Sequence, residues 1–170
     1  MAMTMHGWWT VGHGIILVPI FLLAFASGLM ELLTLPHKAG TPEELSVALG
    51  RLKSRVWAIA VLVWLMMITG TYVSYPWYRA PSPDSPRSKL LAVPDLAWLH
   101  TFAMEWKEHI AWASPILATV VVFIVTYYGA ELASRNDLRR AATWFLVLTL
   151  AAAVIGGVLG ALIYKAVPIL

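Results

Sequence analysis

The sequence predicts an all-α integral membrane protein, a four-helix up-down bundle built as a single transmembrane domain over residues 1–170. Hydrophobic residues make up 60% of the chain and charged residues only 12%, whereas a soluble domain is about half apolar and a quarter charged. Four stretches are long and apolar enough to cross a bilayer, which takes about 20 helical residues. None of the four shows the alternation of apolar and polar residues that is typical of a strand.

The predicted spans are bounded by changes in hydrophobicity along the chain. They cover about residues 8–33, 56–75, 110–128 and 142–164. Each is apolar around its whole circumference, which indicates contact with lipid. The chain has no cysteine. Disulfides, iron–sulfur clusters, thiolate zinc sites and covalently attached haem are therefore excluded.

The connections between the spans differ in character. Thr41-Pro42-Glu43-Glu44 has the pattern of a capping box with proline at the first helical position, so a helix is expected to begin there. A proline-rich stretch over about residues 76–94 predicts an extended, irregular loop. Pro94-Asp95 then predicts a further helix that lies on the membrane surface or continues into the third span.

Basic residues predict the orientation of the bundle, because positive charge remains on the cytoplasmic side. The loops after the first and third spans hold seven: Lys38, Arg51, Lys53, Arg55, Arg135, Arg139 and Arg140. The tails and the middle loop hold five: Arg79, Arg87, Lys89, Lys107 and Lys165. Both termini and the proline-rich loop are therefore expected on the outer, periplasmic or extracellular side. The pattern fits a multi-pass protein of a prokaryotic inner membrane, and it does not suggest nucleic acid.

With this topology, polar and small residues converge on the outer end. His6, His13, His100 and His109 all lie there, together with Gly12, Gly14 and Gly70. Glycines at one depth allow a flat group or another backbone to approach closely. Each feature also has an ordinary structural explanation, since one interfacial histidine is often merely solvated and tryptophans there commonly form an aromatic belt.

His13 and His109 are harder to explain as two independent structural residues, because each lies near the start of an apolar span, at the same expected depth. The first and third helices of an up-down bundle lie diagonally across its core. Two neutral imidazoles facing each other there would supply both axial ligands of a b-type haem. Gly12, Gly14 and Gly70 would clear space for the macrocycle, and Arg79 would pair with a propionate.

The segments HGWWTVGHG and EWKEHIAW, together with the span count, resemble the membrane-integral b-type cytochromes. In those proteins, helices of a four-helix core hold haem between histidines. Members with two stacked haems carry a second histidine about four turns deeper in each ligand helix, and the first and third spans here have none. The resemblance therefore implies one outer haem b, or at most a second, peripheral one that uses His6 and His100.

The leading functional hypothesis is an electron-transfer subunit of an oxidoreductase complex. It would pass electrons between membrane quinone and an outer partner, either a soluble cytochrome or another subunit of a respiratory or photosynthetic complex. Quinol oxidation releases protons, and a histidine or carboxylate commonly takes them. Glu105, Glu108 and His100 are the candidates for that contact.

Other classes of function stay open at this point. The alternative is a cofactor-free accessory or anchor subunit that stabilises a larger membrane complex. His13, His109, Glu105 and Glu108 also include the ligand types of a non-haem zinc, copper or iron centre. A chlorin pigment on one histidine would leave the same sequence pattern as haem.

Overall fold

The computed structural model describes residues 5–35 and 40–167, excluding the side chains of His6 and Thr10. Within these ranges the chain is helical with short turns and contains no strand. Four helices are long and apolar enough to cross a membrane: Gly7–Thr34, Pro42–Tyr78, Pro94–Ala133 and Asn136–Ala166, here called the first to fourth spans. The predicted all-helical fold class and the number of apolar helices are confirmed, and each helix extends beyond its predicted apolar stretch.

The first two spans each contain a π-helical segment between α-helical parts. The first consists of Met5–Val11, the π segment Gly12–Leu17 and Val18–Thr34. The second consists of Pro42–Thr69, the π segment Gly70–Ser74 and Tyr75–Tyr78. The predicted capping box is confirmed: Thr41 Oγ1 accepts from the Glu44 amide at 3.2 Å, and Glu44 Oε2 accepts from the Thr41 amide at 2.9 Å.

The third span is composite and the fourth is one continuous α-helix. The third begins with the 3-10 turn Pro94–Leu96 and the π segment Leu99–Met104, and continues through Glu105–Ile110, Ala113–Tyr128 and Gly129–Ala133. The fourth is Asn136–Ala166. The helix predicted at Pro94 therefore runs into the third span, which settles the choice left open by the sequence.

The proline-rich connection is not the extended loop that the sequence predicted. It contains the short helix Pro86–Leu91, whose first turn is capped by Ser85 Oγ accepting from the Ser88 amide. Proline at the first helical position lacks an amide hydrogen that would have no partner there, so it favours this start. Leu90 is fully buried and packs in a cluster with Leu99 and Ile163. The connection thus folds back onto the third and fourth spans.

The main core draws apolar side chains from all four spans, including Phe21, Leu52, Val121 and Leu146. Side-chain hydrogen bonds also join the spans. Trp64 Nε1 donates to Thr119 Oγ1 at 3.0 Å, and Ser114 Oγ donates to the Thr149 carbonyl at 3.1 Å. Large apolar side chains remain more than half exposed along the outside, among them Leu23, Phe123 and Trp144. This surface suits contact with lipid, so the fold is that of a multi-pass integral membrane protein.

Gly28 lies at a tight contact between the first and second spans. A Cβ at this position would lie 3.0 Å from Ile59 Cδ1 and 3.4 Å from Arg55 Cβ. Small residues at such contacts let two membrane helices pack closely. Van der Waals attraction then stabilises the pair, because lipid provides no hydrophobic driving force for helix association. A larger side chain at position 28 would push these spans apart.

We expect Gly28→Leu to lower the free energy of unfolding by about 1–3 kcal/mol, because overpacking a filled contact forces side chains or backbone to move. Gly157→Leu is the matched control, since a Cβ there meets nothing within 4 Å. Both variants gain the same helix propensity. The measurement is unfolding in detergent followed by circular dichroism, and equal stability of the two variants would contradict the packing account.

Candidate functional site

The π segments lie beside the polar residues that the sequence singled out. His13 is in the π segment of the first span, Gly70 begins that of the second, and His100 is in that of the third. A π segment carries one more residue per turn than the α-helix around it and is often found at functional sites. It also changes the direction in which every later side chain points.

His13 joins the first span to the second. Its Nδ1 lies 3.3 Å from Thr69 Oγ1. The Thr69 hydroxyl donates to the carbonyls of Leu65 and Met66, at 2.8 and 3.1 Å, so its oxygen is left to accept from the imidazole. This assigns the proton of a neutral His13 to Nδ1 and a free lone pair to Nε2. Nε2 has no hydrogen bond within the described part of the chain.

His109 has the same tautomer in a different environment. Its Nδ1 lies 2.6 Å from the Glu105 carbonyl, which can only accept, so Nδ1 carries the proton. The side chain is exposed and lines an open groove of about 570 Å³. The other residues that line it are Thr101, Phe102, Glu105, Trp106 and Ile110. As in His13, Nε2 makes no hydrogen bond to the residues that the structure describes.

His100 differs because both of its ring nitrogens are engaged. It is only 6% exposed. Arg87 Nε donates to Nε2 at 3.2 Å, and Nδ1 lies 3.1 Å from the buried Tyr78 hydroxyl. Arginine only donates, so a neutral His100 must carry its proton on Nδ1 and donate it to Tyr78. These contacts give His100 a structural role that links the proline-rich connection to the third span.

Arg79 binds the two acidic residues of EWKEH. Its Nη2 donates to Glu105 Oε1 at 2.6 Å and to Glu108 Oε2 at 3.1 Å. Burial disfavours its charge, but the hydrogen bond to Glu108 and the charge of that carboxylate outweigh burial and raise the pKa of Arg79 above its usual value. The guanidinium carbon also lies 5.0 Å from the centre of the Tyr75 ring. The cation expected to pair with a propionate is therefore already paired within the chain.

Lys107 was counted in the sequence analysis among the basic residues of the tails and the middle loop, but the structure places its stem against the fourth span. Its Cε lies 3.0 Å from the place that a Cβ at position 160 would occupy. Gly160 thus makes room for the lysine stem between the third and fourth spans. The sequence shows this lysine between the two glutamates of EWKEH, but it does not show which way the lysine side chain points.

The structure brings some of the predicted site residues together and not others. His13 and Thr69 meet, and Arg79 meets Glu105 and Glu108. His13 and His109 instead have different surroundings, the one between spans and the other in an open groove. A Cβ at Gly12, Gly14 or Gly70 would meet nothing within 4 Å, so no observed contact requires glycine there. The side chain of His6 lies outside the described residues.

Among the residues that the structure describes, no three His, Asp or Glu side chains are placed to hold a metal ion. No protein-family model, curated protein or solved structure matches this chain.

We expect Arg79→Gln to lower the free energy of unfolding by about 1–3 kcal/mol, because two carboxylates lose a charged donor. Arg135→Gln is the control, since Arg135 pairs with Asp137 and Glu131 at an exposed position, where solvent screens such pairs and they add little to stability. Thermal unfolding in detergent measures both. Adding Glu105→Gln and Glu108→Gln to Arg79→Gln should restore part of the loss, and equal effects of the two arginine variants would contradict this role.

Proposed function

We propose that this chain is a haem b electron-transfer subunit of a membrane complex. The observation that carries the proposal is the bonding of His13 and His109. Each has Nδ1 held by an oxygen acceptor, while Nε2 keeps its lone pair with no hydrogen bond in the described part of the chain. Metal-ligating histidines commonly donate their second ring N–H in this way, which fixes the tautomer and the ring orientation.

Two of the histidines have a nitrogen that could ligate haem iron, and a third does not. His13 and His109 are available as neutral nitrogen ligands, and His100 is not, because Tyr78 and Arg87 engage its ring. A bound haem would supply reversible one-electron transfer without proton chemistry. The part of this chain would be to orient the imidazoles and to supply apolar walls. The predicted pairing of His13 with His109 on one iron stays a proposal, since the two side chains have different surroundings.

The membrane topology that accompanies this function is also part of the proposal. We infer an up-down bundle with both termini and the proline-rich connection on the outer side of a prokaryotic inner membrane. An early residue of the first span, His13, meets a late residue of the second, Thr69. A late residue of the first, Glu31, meets an early residue of the second, Arg51, and the two contacts together support antiparallel packing of these spans. The excess of basic residues in the first and third connections supports the inner placement of those connections.

Membrane quinone and an outer redox protein are the partners proposed for this subunit. Glu105 and Glu108 remain the carboxylates proposed for this contact, and both accept hydrogen bonds from Arg79. A proton released by quinol would have to displace that pairing, so these residues favour orientation of the helix over free proton exchange.

A second candidate function is an anchor subunit without a cofactor. One observation favours it: an open apolar groove of about 310 Å³ between the second and third spans. Trp57, Val61, Trp64 and Thr119 are among its lining residues. An apolar groove on a membrane protein suits a helix of a neighbouring subunit or a lipid chain.

The haem proposal predicts the visible spectrum of the purified protein after expression with added haem precursor. A dithionite-reduced minus oxidised spectrum should show a sharp b-type α-band, and pyridine extraction should give non-covalent haem. The double variant His13→Ala/His109→Ala should lose the band, whereas His100→Gln should keep it. A folded but colourless wild-type protein would remove the haem proposal and favour the anchor subunit.

The topology predicts which positions a membrane-impermeant maleimide reaches in intact cells. Because the chain has no cysteine, Pro83→Cys and Ser134→Cys each introduce a single target. Pro83→Cys should be labelled before lysis and Ser134→Cys only after it. The reverse labelling pattern would show that the protein has the opposite orientation in the membrane.

A further inference from the structure

Lys107 lies on the buried side of the third span. Met104, Lys107 and Ala111 follow one another at intervals of three and four residues, which places them along one side of the helix. Met104 is buried. Ala111 faces the fourth span, because a Cβ at Gly156 would lie 3.7 Å from the Cβ of Ala111. The lysine therefore occupies a position that its neighbours use for packing against another helix.

The stem of this lysine crosses to the fourth span. A Cβ at position 160 would lie 3.0 Å from Lys107 Cε and 3.9 Å from Lys107 Nζ. The residue is partly buried, and protein atoms closely surround its ammonium group. A lysine near the end of a membrane helix ordinarily extends its ammonium group into water. Here the chain instead makes room for the lysine between two helices, with a glycine at the crossing point.

The ammonium group of Lys107 has no hydrogen bond or ion pair within the part of the chain that the structure describes. Glu105 and Glu108 flank it in the sequence, but both point to another side of the helix, where they bind Arg79. Glu108 attracts the lysine only from a distance. A cation removed from water without a paired anion is costly, and ionisable groups among membrane helices commonly mark a binding site. We therefore expect the acceptor to come from outside the chain.

The level of Lys107 along the bundle limits which anions can reach it. The apolar stretch of the third span begins at Ile110, three residues later. On the fourth span, Tyr164 and Lys165 follow Gly160 by about one turn and are exposed. Aromatic and basic residues commonly mark the level of the lipid headgroups. The anionic groups that lipids carry at this level are the phosphodiester of a phospholipid and the carboxylate of a fatty acid.

We propose that Lys107 is the anchor of a binding site for an anionic lipid, whose phosphodiester or carboxylate pairs with the ammonium group between the third and fourth spans. A group with a single negative charge compensates the charge of one lysine. Basic pockets between membrane helices bind lipid headgroups in the same way. The site uses neither His13 nor His109, so it is independent of the haem proposal.

The test is lipid binding by the full chain, stripped of lipid in a neutral detergent and measured by native mass spectrometry. The probes are phosphatidylglycerol, oleate and phosphatidylcholine, which carries the same phosphodiester without net charge. We expect the wild type to bind one phosphatidylglycerol or one oleate about tenfold more tightly than phosphatidylcholine, or by about 1.4 kcal/mol. The tighter of the two anionic probes identifies the source of the anion.

The variants separate the position of the ammonium group from its charge. Lys107→Met should lose the preference for the anionic probe, and Lys107→Arg should keep it. Gly160→Leu should also lose it, because the larger side chain displaces the lysine stem while every charge remains. The matched controls are Lys165→Met, at an exposed position, and Gly157→Leu, where a Cβ meets nothing within 4 Å. Both controls should bind lipid as the wild type does.

Two results would overturn the inference. Equal affinity of the wild type for the anionic probes and for phosphatidylcholine would show that no anion site exists. An equal loss of preference in Lys107→Met and Lys165→Met would show that net charge alone attracts the lipid, and that Lys107 has no site of its own.

Discussion

The structure depends on a constraint of the bilayer, in which a polar group without water must find its partner inside the protein. Several polar side chains of this chain find their partners on another element. Arg79 holds Glu105 and Glu108, His100 lies between Tyr78 and Arg87, and His13 contacts Thr69. These bonds connect the first span to the second, and the second and its following connection to the third. The end of the molecule that holds these residues is thereby fixed by polar contacts, while the rest is held mainly by apolar packing.

Two ring nitrogens are among the side-chain atoms that have no hydrogen bond in the described part of the chain, as is the buried Arg79 Nε. Nε2 of His13 and Nε2 of His109 are each presented by an imidazole whose other nitrogen is held. The buried His100 uses both of its ring nitrogens, as buried polar groups generally do. This contrast distinguishes the two histidines that have a ring nitrogen available to a ligand from His100, which has none.

Hydrophobicity and length were sufficient to predict the four apolar helices. The pattern Thr41-Pro42-Glu43-Glu44 was sufficient to predict the capping box, because its hydrogen bonds are local. Sequence patterns failed for the proline-rich connection, where Ser85-Pro86 starts a helix that tertiary contacts of Leu90 stabilise. The directions in which the His13 and His109 side chains point could not be predicted from the sequence for a different reason. Successive residues of an α-helix point about 100° apart, so the extra residue of each π segment rotates everything after it. Leu99–Met104 precedes His109 by less than two turns, and nothing in its letters marks it as a π segment.

The central claim is that histidines with a free Nε2 bind haem iron in this membrane chain. The most direct measurement is a titration of haemin into the purified, haem-free protein, followed by the Soret band, with His13→Ala/His109→Ala as reference. The account predicts a saturable red shift to a six-coordinate low-spin spectrum in the wild type, and only weak, non-saturating partition of haemin in the double variant. Identical titrations of the two proteins would contradict it.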